Sequence, residues 1–193
     1  MTFEARFAPL DILRAPPRGK DWVGQDDGAV AGYASLFDRV DMANDTVARG
    51  AFVSSLRKRG AAGVRMLWQH EAKEPIGVWL SLAEDERGLY AQGRLNLAVA
   101  RARDVFALIR QGAVDGLSIG FKAERARSDG RGGVRRLIAI DLWEISIVTF
   151  PMLPEARVSA VERDAFMIDG DGTTLAAQLR RAATLFHATR SAA

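Results

Sequence analysis

The sequence predicts a mainly β fold: a mostly antiparallel barrel or sandwich with a few packed helices. Three observations carry this. Strand-like apolar segments dominate the middle of the chain. They follow one another at short spacing, separated by glycine-, proline- or charge-rich turns. Few of them have a helix between, which argues against a doubly wound α/β sheet.

Taken in order, residues 3–13 alternate weakly and are a candidate first strand, ended by the loop APPRGK at 15–20. Residues 28–37 (GAVAGYASLF) read as a strand of small residues, and 38–45 as a polar turn. Residues 50–59 form a short amphipathic helix, with Phe52, Val53 and Leu56 on one face and Gly60 and Gly63 stopping it. The next strand is 64–70, on which alternation puts Met66, Trp68 and His70 on one face. Residues 76–82 and 89–97 read as a hairpin joined by the charged turn 84–88. Residues 99–110 form the clearest helix, with Ala102, Val105, Phe106 and Ile109 at helical spacing. The apolar strand 114–121 follows, then a charged, glycine-rich stretch at 122–133 that reads as a flexible connection. Residues 134–140 are a strand. Residues 142–150 are the most apolar stretch, rich in β-branched and aromatic residues, and read as a central strand closed by Pro151 and Pro154. A short last strand fits 157–161. Residues 164–172 read as a linker, and 175–187 as an alanine-rich helix.

The 193 residues, 48% of them hydrophobic, suit one compact domain plus a tail. There is no apolar run of membrane-spanning length, and the N-terminus lacks a secretory pattern. With no cysteine there are no disulfides, thiolate metal sites or cysteine nucleophiles. No cofactor is expected. The net charge of +3 is too small for a nucleic-acid-binding face, and the arginine clusters read as solvated surface.

Chemistry concentrates in three stretches. In 114–121, Leu117, Ile119 and Phe121 face a core, while Gly116, Ser118 and Gly120 face the other way. The flanking glycines leave the Ser118 hydroxyl free for close approach by another backbone or a substrate. A serine attacks well only when a base removes its proton and a third group orients that base. The chain has two histidines, His70 at a strand end and His187 in the terminal helix. His70 is the better base. Glu144 interrupts the most apolar strand, where a lone carboxylate is costly unless paired. Its partner is either an arginine or the imidazolium formed when His70 takes the serine proton. Ser146, on the same face as Glu144, reads as strand packing. Residues 116–120 also fit G-x-S-x-G, but no convincing helix follows and no HGGG-type oxyanion motif is present.

Together WQH (68–70), GLSIGF (116–121) and LWEISIVTFP (142–151) resemble the prohead proteases of tailed phages with the Hong Kong 97-type capsid. GYASLFD (32–38), GAF with Leu56 (50–56), PIGVW (75–79) and RGLYAQGRL (87–95) add to the likeness, which spans roughly 28–161. The resemblance implies a closed barrel of mostly antiparallel strands ringed by helices, similar to the herpesvirus assemblins. It implies a serine endopeptidase that processes capsid and scaffold chains inside an immature head. Ser118 and His70 match the family's nucleophile and base, and Glu144 matches the acid of its E-I-S motif. The paired arginines Arg135 and Arg136 are similar to those near the assemblin oxyanion hole. The implied partners are the major capsid protein and its scaffolding segment, as substrate, and a second copy of the chain. No membrane and no specific nucleic acid are implied. The implied location is the bacterial cytoplasm, within the procapsid, and the size also suits a gene transfer agent.

Residues 1–163 are expected to form the protease domain. Residues 164–193 are expected to be a docking or self-processed tail, or a helix packed on its own domain. Two competing readings remain at this point. One is a non-catalytic head-assembly or scaffolding protein. The other is an α/β-hydrolase esterase using His187.

Overall fold

The computed structural model describes residues 28–128 and 133–160. The strand expected at 3–13, the tail at 164–193 and His187 lie outside these. The elements are β1 (Ala29–Leu36), β2 (Asp45–Val47), α1 (Val53–Arg59), β3 (Arg65–Trp68), β4 (Pro75–Glu84), β5 (Gly88–Leu95), α2 (Ala100–Arg110), β6 (Gly116–Ser128), β7 (Arg135–Val148) and β8 (Val158–Ala160). They form one sheet in the order β2-β7-β3-β4-β5-β1-β8, with β6 on the other edge of β7.

The fold is mainly β with packed helices, as expected, but the expected closed and mostly antiparallel barrel is corrected to an open, mixed sheet. β7 is long enough for one of its edges to take two short strands, β2 and β3, and both run parallel to it. The other pairings are antiparallel. Edges of the sheet also meet at isolated bridges: Gly116 with Arg157, flanked by Leu117 N–H to Ala156 O at 2.9 Å and Val158 N–H to Asp115 O at 2.7 Å, and Phe37 with Val47 and Val40 with Thr46.

Hydrophobic burial holds this sheet to its helices. α2 buries Ala102, Val105, Phe106 and Ile109, the face its helical spacing predicts. They join the cluster that contains Met66, Trp79, Leu117, Ile145 and Ile147. Each fully buried large apolar side chain contributes about 1.5–3 kcal/mol. Trp79 is buried and also donates its indole N–H to Ile145 O at 3.2 Å, tying β4 to the strand that carries Glu144.

Three elements differ from the sequence reading. Residues 122–128 extend β6 as strand rather than loop, because their backbone pairs with β7 although their side chains are mostly exposed. Residues 135–148 form one strand rather than two. The polar turn contains β2, whose Asp45 is held by both oxygens to Arg135, at 2.8 and 2.5 Å.

Candidate active site

The register of β6 on β7 builds the site. Ser118 lies opposite Ser146, and Gly120 opposite Glu144. On the far edge of β7, Arg65 and Leu67 of β3 oppose Glu144 and Ser146. Directly opposed residues share a face, so Ser118, Gly120, Glu144 and Ser146 occupy one surface of the sheet. Ile145, Ile147 and Leu117 point to the other surface and into the core.

A one-residue bulge sets this arrangement. Gly120 pairs with Glu144, but Phe121 pairs with Leu142, so Trp143 is extra. The alternation therefore changes phase at Trp143. Ile140 and Leu142 are buried on one side of the bulge, Ile145 and Ile147 on the other. Leu142 consequently does not share the face of Glu144, contrary to uninterrupted alternation. The bulged Trp143 stays half-exposed and donates its indole N–H to Asp141 at 2.7 Å.

His70 reaches this face by breaking its own strand. Simple alternation would put it beside Met66 and Trp68, towards the core. Instead Gln69 and His70 both adopt left-handed backbone, with φ of 52° and 62°. Each such non-glycine residue costs roughly 1–2 kcal/mol. The Gln69 side chain helps hold the turn: its amide donates to Thr149 Oγ1 at 2.7 Å, and its carbonyl accepts from Thr149 N–H at 3.4 Å. The Gln69 N–H also donates to Ile147 O at 3.0 Å.

The result is a hydrogen bond between His70 Nδ1 and Glu144 Oε1 at 2.9 Å. The imidazole is 41% exposed and the carboxylate 16%. An ionised carboxylate only accepts, so opposite one the Nδ1 atom is the donor of this hydrogen bond. The second carboxylate oxygen, Oε2, accepts from the Ser146 hydroxyl. Ser118 is buried in the next strand, and among the described residues no hydrogen bond joins it to His70.

The two flanking glycines make room for neighbouring protein atoms, a backbone carbonyl at Gly116 as expected and a side chain at Gly120. A Cβ on Gly120 would collide with the Glu144 side chain, so this glycine makes room for the carboxylate rather than for a substrate. A Cβ on Gly116 would meet Val148 O at 2.5 Å and Pro151 Cδ at 2.8 Å. A cleft borders Ser118, with Ser35, Arg39, Phe121 and Met152 among its walls. The resemblance also pointed to Arg135 and Arg136. They open β7 opposite Ser128 and Arg127, at the far end of the hairpin, and pair with Asp45 and Asp38. The hydrolase reading fails on the same strand: β6 continues past Ser118 as strand to Ser128, so Ser118 does not sit on a strand-to-helix elbow.

The family model described as "Caudovirus prohead serine protease" matches residues 18–169. The chain belongs to the caudovirus prohead serine protease family. It is similar to the prohead protease of Enterobacteria phage HK97, with 37% identity over 140 residues, covering 70% of this chain and 60% of that protein. The chain thus spans less than two thirds of that relative's length. Among solved structures, it is similar to the bacteriophage T4 capsid assembly protease, with a TM-score of 0.49 at 12% identity, over 64% of this chain and 82% of the other. It is also similar to the KSHV protease bound to a hexapeptide phosphonate inhibitor, with a TM-score of 0.45 at 10% identity, over 67% and 63%.

Among the described residues of this family member, no group of three or more histidine or carboxylate side chains is arranged to hold a metal ion. Two features of the site were missed by the sequence reading. Ser146, read as packing, is fully buried and also donates its hydroxyl to Glu144, a partnership that a serine two positions from an acid on one strand face could have signalled. The left-handed turn at Gln69 and His70 carries no local signal, since neither is glycine or asparagine.

Proposed function

We propose that this chain is a serine endopeptidase that cleaves capsid or scaffold protein during head maturation, with Ser118 as nucleophile, His70 as base and Glu144 as the orienting acid. The observation that carries the reading is the His70–Glu144 hydrogen bond, formed two residue pairs along the ladder from Ser118 and on the same face. Family membership supports the peptidase class.

His70 Nε2 takes the Ser118 proton as Oγ attacks the peptide carbonyl. The Nδ1–H stays on Glu144, which steadies the charged ring. Collapse of the tetrahedral intermediate breaks the C–N bond, and His70 returns the proton to the leaving amine. Water, deprotonated by the same imidazole, then releases the acyl chain from Ser118. General-base assistance of this kind contributes about 10²–10⁴-fold. The His70–Ser118 hydrogen bond forms when substrate fills the site, since catalytic hydrogen bonds often become well aligned only in the substrate complex. The substrate is the major capsid protein with its scaffolding segment, met inside the procapsid in the bacterial cytoplasm, where the protease self-associates.

Co-expression with the cognate capsid protein tests this. The full chain is expected to shorten the capsid protein, while Ser118→Ala and His70→Ala leave it full length. A capsid protein that assembles normally and stays full length with the unaltered chain would instead identify a scaffold.

A further inference from the structure

We propose that Ser146 is a positioning residue: its hydroxyl fixes the Glu144 carboxylate and, through it, the His70 imidazole. The inference rests on the reading of Ser118, His70 and Glu144 given above.

The two oxygens of Glu144 have separate partners. Oε1 accepts from His70 Nδ1–H at 2.9 Å, and Oε2 accepts from Ser146 Oγ–H. A carboxylate gripped on one oxygen alone can rotate about its remaining bonds. One gripped on both has its plane fixed. Ser146 is suited to the second grip because it cannot wander. It is 0% exposed, on a central strand, with Leu67 opposite on one side and Ser118 on the other. A hydroxyl buried that deeply needs a protein partner, and among the described residues that partner is Glu144.

The surroundings leave the carboxylate no equivalent alternative. From β6, Gly120 opens the space that the Glu144 side chain fills. From β3, Arg65 lies opposite Glu144, yet its guanidinium turns away to the Ala62 carbonyl at 3.4 Å. Serine also suits strands less well than the valine or isoleucine found around it. A strand that needed only packing here would be better served by an apolar residue. The adjacent hydroxyls therefore divide the work: Ser146 donates to the acid, and Ser118 is left for the base.

The test uses the full chain and a fluorophosphonate, which forms a covalent bond with an activated serine, together with cleavage of the capsid protein. Ser146→Ala is expected to slow labelling of Ser118 by about tenfold to a hundredfold, the scale of a small misplacement in an active site. In capsid cleavage kcat falls by the same factor and KM stays. Ser146→Thr keeps the hydroxyl and is expected to recover most of the rate. The deciding arm is a double-mutant cycle. In a Glu144→Ala background, Ser146→Ala is expected to have no further effect. If it slows labelling there by the same factor as in the unaltered chain, Ser146 does not act through Glu144 and the inference is overturned. Equal rates for Ser146→Ala and the unaltered chain overturn it as well. Should Ser146→Ala fail to fold, Ser146→Thr decides: a folded Thr variant as slow as Glu144→Ala overturns the inference, and one close to the unaltered rate upholds it. Labelling that persists in Ser118→Ala would instead overturn the site reading itself.

Discussion

With Glu144 in the role proposed above, Gly120→Ala is expected to separate catalysis from folding. The new methyl would stand 2.7 Å from Glu144 Cδ and nearer still to Oε1 and Cγ. Relief to an ordinary 3.4 Å contact moves the carboxylate by at least about 0.7 Å. The obstacle is a side chain rather than backbone, so the sheet can keep its register while Glu144 swings aside. An off-rotamer side chain costs about 0.5–1.5 kcal/mol, which for a chain of this size lowers Tm by only a few degrees, at roughly 2–4 °C per kcal/mol. Catalysis is more sensitive, because a displacement near 1 Å can remove about 10²-fold, or about 2.7 kcal/mol of barrier. The assay is capsid cleavage by the purified full chain, with thermal melting on the same sample. The expected result is a loss of about a hundredfold in kcat with a melting temperature close to the unaltered chain. Cleavage at the unaltered rate would refute the claim that Glu144 must lie over Gly120.

The neighbouring glycine behaves in the opposite way. At Gly116 the added Cβ meets Val148 O at 2.5 Å and Pro151 Cδ at 2.8 Å, neither of which can swing aside. Gly116→Ala is therefore expected to destabilise by about 1–3 kcal/mol, seen as a lower denaturation midpoint; an unchanged midpoint would contradict the packing. Gln69→Ala removes both side-chain hydrogen bonds to Thr149 and loosens the left-handed turn that carries His70. It is expected to lower kcat about tenfold with KM unchanged, measured by capsid cleavage; no change in kcat would show that the turn is held without it. The Asp141 carboxyl is held below the usual carboxylate range by its hydrogen bond from Arg59 and then by that from Trp143. Its folded pKa is thus below its unfolded value, so its stabilisation is present above about pH 4 and lost as pH falls through the folded value. Asp141→Asn is expected to lower Tm at pH 7, with the gap to the unaltered chain closing as pH drops below about 4; a gap independent of pH would contradict this.

Much of the fold was legible because burial wrote it into hydropathy. α2 and the hairpin of β4 and β5 show the periods of a helix face and of alternating strands. The charged arm of β6 was not legible, since backbone ladder bonds to β7 hold it and apolar burial contributes little there. The central strand was legible as a strand but not in phase, because the bulge at Trp143 leaves no mark in a sequence that is apolar on both sides of it. Topology was the least accessible part. The parallel docking of β2 and β3 on one edge of β7 depends on long-range pairing, which no local pattern records.

For the site, residue chemistry carried further than geometry. A carboxylate in an apolar strand had to have a partner, and His70 is that partner. How the histidine reaches it depends on two left-handed residues and on the tether from Gln69 to Thr149. Gly120 was visible as a glycine, but only the cross-strand register shows what fills its space.

The most direct measurement is the mass of the full chain and its peptides after exposure to a fluorophosphonate. A single adduct on Ser118, absent when His70 is replaced by alanine, is the predicted result. An adduct on another residue, no adduct at all, or labelling of Ser118 that is indifferent to His70→Ala would contradict it.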